Sequence, residues 1–238
     1  MTALALKLIA CLCMLLDHIG YLTWNDPLRA VGRLALPIFA FQLTEGFSHT
    51  RHMGRYLLRL GVFAAVSEVP FDLCFHGVFV YPRSQNVFFT LFLALACLWA
   101  IRWLEQKKTP GVLQLAPVAL ACVLAEALKT DYGMWGVLLT LVFYYAKKLP
   151  RPKLAMAAGL LAVTLAPIAL DEFFGAGATS WQVTQLARLV ALVPIFLYDG
   201  RYAGTFVQKR PELKKMLQYG VYLFYPLHLV ALSFIFVL

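Results

Sequence analysis

The sequence predicts an all-α, polytopic integral membrane helical bundle. Three observations predict it. Of 238 residues, 61% are hydrophobic. Only 14% are charged, against about a quarter in an average soluble domain. Mean hydropathy is +0.74, and the apolar residues come in long runs, as a multi-pass chain requires and a large soluble core does not.

About nine spans follow in order, with eight to ten compatible with the pattern. They run Ala3–Thr23, Ala30–Phe47, Tyr56–Phe75, Val87–Leu104, Val112–Leu128, Met134–Tyr145, Leu154–Leu170, Trp181–Tyr198 and Met216–Leu238. The sixth is short, and the fifth and seventh contain proline. The first has no small-residue cleavage site after it and reads as a retained helix. No internal repeat, soluble domain or low-complexity tail interrupts the pattern, so residues 1–238 read as a single domain. The five cysteines (Cys11, Cys13, Cys74, Cys97 and Cys122) lie in or beside apolar segments, at spacings that suit neither a zinc site nor a disulfide framework.

The net charge of +9 sorts by loop, which reads as topology and not as nucleic-acid binding. Arg51, Arg55 and Arg59 follow the second span, and Arg102, Lys107 and Lys108 follow the fourth. Lys147, Lys148, Arg151 and Lys153 follow the sixth, and Arg201, Lys209, Arg210, Lys214 and Lys215 follow the eighth. The alternate loops hold only Arg29, Arg33, Arg83 and Lys129, with Asp171-Glu172 in one of them. Basic loops stay cytoplasmic, so the N-terminus faces in and the C-terminus out. The basic side also attracts anionic membrane lipid.

Ionisable groups inside the spans are the functional candidates, because each costs at least about 2.5–3.5 kcal/mol near a bilayer centre. Asp17 and His18 sit in the first span. Lys7 lies eleven residues before His18, on nearly the same face and roughly 16 Å away along the axis, with Cys11 between them. Asp17 points about 100° away from His18 and is free to serve another neighbour. Gln42, Glu45 and His49 form a stripe at i, i+3, i+7 in the second span, next to Arg51, Arg55 and Arg59. Glu45 either pairs with one of these arginines or takes part in chemistry, and the guanidinium groups suit cofactor phosphates. Glu68 and Asp72 share a face at i, i+4 around Pro70 and suggest a common cavity. Tyr222, Tyr225 and His228 line one side of the last span, with His228 at a depth similar to His18, so the two histidines are candidates to flank one cavity.

A histidine with a carboxylate neighbour is a general base near neutral pH. Such a base can deprotonate an amine or hydroxyl for attack on a thioester. No Walker, Rossmann, HExxH or nucleophile-elbow pattern competes. Asp17-His-Ile-Gly20, Gly32-Arg-Leu-Ala-Leu-Pro-Ile-Phe-Ala-Phe41, Glu45-Gly-Phe-Ser-His-Thr50, Ser67-Glu-Val-Pro-Phe-Asp72, Asn86-Val-Phe-Phe-Thr-Leu91, Asp131-Tyr-Gly133 and Tyr225-Pro-Leu-His-Leu229, in this order, resemble the TraX family. Those are integral membrane proteins named for acetylating the N-terminus of conjugative F-type pilin. The Lys7-to-His18 spacing also resembles the arginine–ten residues–histidine signature of the membrane acyltransferase-3 group, with lysine replacing the bidentate arginine. Leu197-Tyr-Asp-Gly200 resembles a family Tyr-Asn-Gly turn, with an added negative charge near any cofactor phosphates.

The resemblance implies an acetyl-CoA-dependent N- or O-acetyltransferase of the bacterial inner (cytoplasmic) membrane. His18 is then the preferred base, and Asp17, Glu68 and His228 are further catalytic candidates. Lys7, Glu45, His49, Arg51, Arg55 and Arg59 become candidates for binding the acyl-CoA donor, which arrives from the cytoplasm. The acceptor is a peptide amine, glycan or lipid at the outer side, and no metal or haem is expected. Two other classes compete: a proton-coupled transporter or channel using Glu68, Asp72, Asp17 and His18, and a b-type haem protein with His18 and His228 as axial ligands.

Overall fold

In a computed structural model of the chain, residues 1–174 and 184–237 are described. The start of the expected eighth span at Trp181 and the end of the ninth at Leu238 lie outside them. Among the described residues the protein is helical, and the one β pairing is an isolated bridge between Gln85 and Thr130. Four helices are long and apolar enough to cross a membrane: Ala3–Leu22, Val87–Gln106, Pro152–Phe173 and Pro211–Phe236. Shorter apolar helical stretches cover Gly111–Ala127, Gly133–Ala146 and Gln185–Phe196. Met53–His76 has 24 residues but carries Arg55, Arg59, Glu68 and Asp72, which lower its hydropathy. This is a helical membrane protein, and several of the expected spans are shorter or more polar than a simple crossing.

The chain divides into two compact units, residues 1–42 with 142–228 and residues 43–141 with 229–238. The first unit begins with α1 (Ala3–Leu22), capped by the Thr2 hydroxyl, which accepts from the Ala5 amide at 3.3 Å. Its buried positions Ala3, Leu6, Ala10, Cys13, Asp17 and Gly20 recur at three- and four-residue steps and so form one stripe. Cys11, Met14 and His18 form another stripe beside it. α2 (Asp26–Gly32) is capped by Asn25 Oδ1, which accepts from the Leu28 amide at 3.1 Å, and folds back against α1. Two glycines permit that approach. A Cβ on Gly20 would lie 2.8 Å from the Arg29 amide nitrogen, and one on Gly32 would overlap Asp17.

The expected continuous second span, Ala30–Phe47, is broken at Arg33-Leu34. α2 ends before them and α3 (Ala35–His49) starts after them. Pro37 supplies the physical reason, since its ring excludes the carbonyl of Arg33, the residue four positions back. The first unit continues through the end of α7 (Gly133–Ala146) and α8 (Pro152–Phe173), where Gly159 lies too close to Val142 to accommodate a Cβ. A 3-10 segment, Gln185–Ala191, packs on α8 and runs into α9 (Leu192–Phe196). After α10 (Thr205–Gln208) comes α11 (Pro211–Phe236), which carries Pro226 in its interior.

In the second unit, α4 (Met53–His76) stops at Gly77, whose φ of +68° is the left-handed conformation of a glycine C-cap. α4 packs on α5 (Val87–Gln106), and α5 packs on α6 (Leu115–Ala127). The Asp131-Tyr-Gly133 motif is a turn: Tyr132 and Gly133 both have positive φ, and a Cβ on Gly133 would overlap the Glu126 carboxylate. Glu126 Oε1 accepts from the Met134 amide at 2.7 Å, and the Thr90 hydroxyl donates to the Asp131 carbonyl. All five cysteines are free, and Cys122 is the least buried of them.

Candidate active site

The first unit brings His18 and His228 together. His18 Nδ1 and His228 Nε2 lie 2.8 Å apart, with ring centroids 4.9 Å apart and planes 13° from parallel. Both residues are buried. The 3.6-residue period places His18 on its stripe of α1, and the same period aims His228 Nδ1 at the carbonyl of Phe224, one turn back on α11, at 2.8 Å. Phe224 lies near-parallel to the His228 ring at 4.9 Å. Tyr225 stands edge-on to both histidines, at 6.2 Å from His18 and 5.5 Å from His228.

These contacts fix the tautomers. A carbonyl oxygen only accepts, so His228 Nδ1 carries the proton it donates to Phe224. Neutral His228 then presents Nε2 as an acceptor, and His18 Nδ1–H donates to it. His18 is left with its lone pair on Nε2. The pair is therefore a polarised chain, from Phe224 C=O through His228 to His18, whose basic end is His18 Nε2. The 2.8 Å separation is too short for haem ligation by the two histidines: opposed imidazoles on one metal stand about 4 Å apart, at roughly 2 Å from metal to each nitrogen.

Asp17 serves a different neighbour. Its Oδ2 accepts from Arg33 Nη2, and Arg33 is 4% exposed. By position along the chain Arg33 reads as an outer-loop charge; it is instead a buried helix-junction residue whose charge Asp17 balances. The Asp17 Oδ1 atom faces Gly32, which explains why that position carries no side chain. Lys7 is likewise not at the histidine pair. Its ammonium lies 5.4 Å from the centre of the Tyr202 ring, whose other cation is Lys214 at 4.8 Å. Burial pushes the Tyr202 phenol above its ordinary value. The same loop holds the start of α1, where the Arg201 and Tyr202 carbonyls accept from the Ala3 and Leu4 amides at 2.8 Å each. Gln42 Nε2 adds a bond to the Ala3 carbonyl at 3.0 Å.

Asp199, in the same loop, is bound by Arg201 through Nη2 at 2.8 Å, Nε at 3.1 Å and the backbone amide at 3.0 Å. Those contacts hold its carboxyl below the usual carboxylate value. The negative charge expected near cofactor phosphates is thus matched by Arg201 and by the Met1 ammonium at 3.7 Å.

The remaining candidates belong to the second unit. Glu68 Oε2 accepts from the side-chain amide of Asn86 and, at 3.3 Å, from its backbone amide. Asn86 is fully buried, donates also to the Ala64 carbonyl at 2.8 Å, and caps α5 by accepting from the Phe88 amide at 3.0 Å. Asp72 Oδ2 accepts from the Tyr81 amide at 2.6 Å, and His76 stacks on the Tyr81 ring at 3.9 Å. The expected shared face of Glu68 and Asp72 thus holds down the segment 77–86. His49 Nδ1 donates to the Glu45 carbonyl of its own helix at 2.9 Å, and Glu45 is half-buried. Arg51 and Arg55 are exposed, while Arg59 lies over Tyr56 at 5.4 Å. Sequence reasoning missed Arg33 and Asn86; the signals available were the small residue at Gly32 opposite Asp17 and the Asn86 N-cap ahead of an apolar run.

The chain is similar to known proteins over nearly its whole length. The family model described as TraX protein matches residues 3–236. A curated relative from Dichelobacter nodosus, "Probable fimbrial assembly protein FimC, serogroup H1", is 32% identical over 250 residues, spanning 97% of this chain and 94% of the relative. No solved structure matches.

Proposed function

The chain belongs to the TraX family, and from that premise we propose that it is a membrane-embedded acetyltransferase acting on a pilus or fimbrial subunit. The observation that carries the reading is the His18–His228 pair, whose tautomers leave a lone pair on His18 Nε2 inside a buried site. In this reading acetyl-CoA enters from the cytoplasm and the acceptor is the amino terminus of the subunit. The neutral amine attacks the thioester carbonyl while His18 Nε2 takes the amine proton. The tetrahedral intermediate then expels the CoA thiolate, which recovers that proton from His18. His228 stabilises the transient His18 cation by accepting its Nδ1–H, and the Phe224 carbonyl does the same for His228.

The finer topology belongs to the same proposal: about nine passes in the inner membrane with a cytoplasmic N-terminus, and the basic loops, including Arg51, Arg55 and Arg59, facing the donor's phosphates. The name of the relative, a fimbrial assembly protein, supports a subunit of such a fibre as acceptor over a glycan or lipid.

The test is transfer of radiolabelled acetyl from acetyl-CoA in vesicles holding the protein and a membrane-anchored peptide with a free amino terminus. His18→Ala lowers the rate by about 10²–10⁴-fold, the usual contribution of a positioned general base. Unchanged transfer in His18→Ala removes His18 as the base, and no transfer by the wild type overturns the enzyme reading.

Another reading, proton-coupled passage, is favoured by one observation. Glu68 Oε1 and Asp72 Oδ1 are buried and have no hydrogen-bond partner among the described residues. Proton flux into liposomes that is the same for wild type and Glu68→Gln/Asp72→Asn removes it.

A further inference from the structure

One exposed feature of the second unit belongs neither to the histidine pair nor to the carboxylate face. Just past the end of α4 the chain presents Val78-Phe79-Val80, three consecutive exposed apolar residues, with Phe79 70% and Val80 74% exposed. Such a run is unfavourable in water and marks a contact surface. The segment is also held in place. The Tyr81 amide donates to Asp72 Oδ2 at 2.6 Å, and the His76 ring stacks on Tyr81. Further on, the Gln85 amide donates to the Lys129 carbonyl at 3.0 Å, and the Asp131 amide donates to the Gln85 carbonyl at 2.7 Å. The loop is thus pinned at both ends, and its apolar tip stands out between them.

The end of α11 gives the depth of that tip. Residues 229–238 belong to the same unit, and the Val237 side chain lies 4.0 Å from where a Cβ on Gly77 would sit. α11 is long and apolar enough to cross a membrane, and Lys215 is the last lysine or arginine before its apolar run. From Lys215 to Phe236 the helix rises roughly 32 Å at about 1.5 Å per residue, against a hydrocarbon core of about 30 Å. Its last turn, with Phe234 and Ile235 exposed, therefore reaches the boundary between acyl chains and headgroups, and Gly77 lies beside it. The polar groups near the tip suit the same boundary. Tyr81 follows the tip directly, and the exposed cations Arg83 and Lys129 stand at the base of the loop, where lipid phosphates are found.

We propose that residues 77–83 are an interfacial membrane anchor, in which Val78, Phe79 and Val80 insert among the acyl chains of one leaflet while Arg83 and Lys129 hold the phospholipid phosphates. The leaflet is the one at the C-terminal ends of α4 and α11. Lipid is the occupant, and not a protein, because the tip is level with an exposed apolar turn of a membrane-crossing helix. The Glu68–Asp72 face acquires a purpose: by holding the loop it fixes how deep the tip sits. The inference stands apart from the acetyltransferase reading and needs none of its chemistry.

The test uses the full chain in nanodiscs of phosphatidylcholine and phosphatidylglycerol. The photo-crosslinking residue p-benzoylphenylalanine replaces one residue at a time, and lipid adducts are read by mass spectrometry. Phe79 is the test position. Leu12, exposed on apolar α1, is the lipid-facing reference, and Glu212, exposed at the start of α11, is the polar one. The expected result is an adduct yield at Phe79 similar to that at Leu12 and several-fold above that at Glu212, with the bond on an acyl chain. Arg83→Glu combined with Lys129→Glu is expected to abolish any excess of phosphatidylglycerol among the adducts; an unchanged lipid ratio overturns their part in the anchor. A yield at Phe79 no higher than at Glu212, or adducts on headgroups only, overturns the insertion and leaves the tip in water. A crosslink from Phe79 to a protein in place of lipid in native membranes also overturns it, and makes the tip a protein-docking site. If the Phe79 variant melts below wild type, the same readout at Val80 decides.

Discussion

The His18–His228 pair in the first unit and the Glu68–Asp72 face in the second unit have much in common. Each lies in apolar helical sequence and has a proline nearby, Pro226 in α11 and Pro70 in α4; His18, His228 and Asp72 are buried and Glu68 is half-buried. They differ in where their hydrogen-bonding capacity goes. The histidines form a directed chain that starts on a backbone carbonyl and ends on a lone pair. The carboxylates accept from Asn86 and Tyr81 and hold the segment that leads from α4 into α5. An ionisable residue in a span is costly in either case. The histidine chain is polarised towards one ring, whereas one oxygen of each carboxylate is committed to the segment it anchors.

The largest effect expected is on stability, at the residue next to His18. Asp17→Ala leaves Arg33 buried without its carboxylate and should cost about 3–5 kcal/mol, read as a lower melting temperature in detergent. Asp17→Leu combined with Arg33→Leu should recover much of that loss, because the uncompensated charge is gone. If Asp17→Ala melts like wild type, the pair is not what joins α2 to α1, and the contrast between Asp17 and His18 fails.

Next comes His228. Replacing it with Leu removes the acceptor that sets the His18 tautomer, and acetyl transfer should fall by about 10²-fold, with less change in melting temperature than Asp17→Ala gives. His228→Gln still offers an oxygen to His18 Nδ1–H and should retain more activity than His228→Leu. Equal activity in the two variants would show that the tautomer is set by something other than this bond.

On the other side of the comparison, Asn86→Ala removes the α5 cap and the partner of Glu68, and should cost about 1–2 kcal/mol of stability. Transfer per folded molecule should stay at the wild-type level. A variant that melts normally but transfers tenfold more slowly would place the Glu68 face in the chemistry and erase the distinction between the two regions.

The sequence revealed the helical class, the apolar runs and the pairing potential of His18 with His228, since both depend on local period and depth. It also showed that Asp17 points away from His18, because adjacent helical residues diverge by about 100°. It did not reveal Asp17's partner. Arg33 reads as one more loop charge until Pro37 breaks the helix and turns α2 back onto α1, a consequence of tertiary geometry that spacing does not encode. The Glu68–Asp72 stripe was legible as a shared face, but its use as an anchor depends on the segment 77–86 folding over it.

The smallest effect expected is at Asp199, which tests whether the loop that holds the start of α1 is itself a site. Its carboxyl is depressed by the Arg201 side chain and amide, so the folded protein binds its proton less readily than the unfolded chain. The stabilisation is therefore present above the ordinary carboxylate value of about 4 and is lost as pH falls through the lower folded value. Because the group lies at the surface, solvent screens the pair, and the change should be local and not global. The amides of Ala3 and Leu4, bonded to the Arg201 and Tyr202 carbonyls, should lose hydrogen-exchange protection below about pH 4, beyond the intrinsic pH dependence, while those around His18 do not. Asp199→Asn should remove that pH dependence and leave acetyl transfer unchanged, because the charge is already satisfied by Arg201 and the Met1 ammonium. A transfer rate that rises in Asp199→Asn would mean the carboxylate repels the phosphates of acetyl-CoA, and would shift donor binding to the loop around Tyr202.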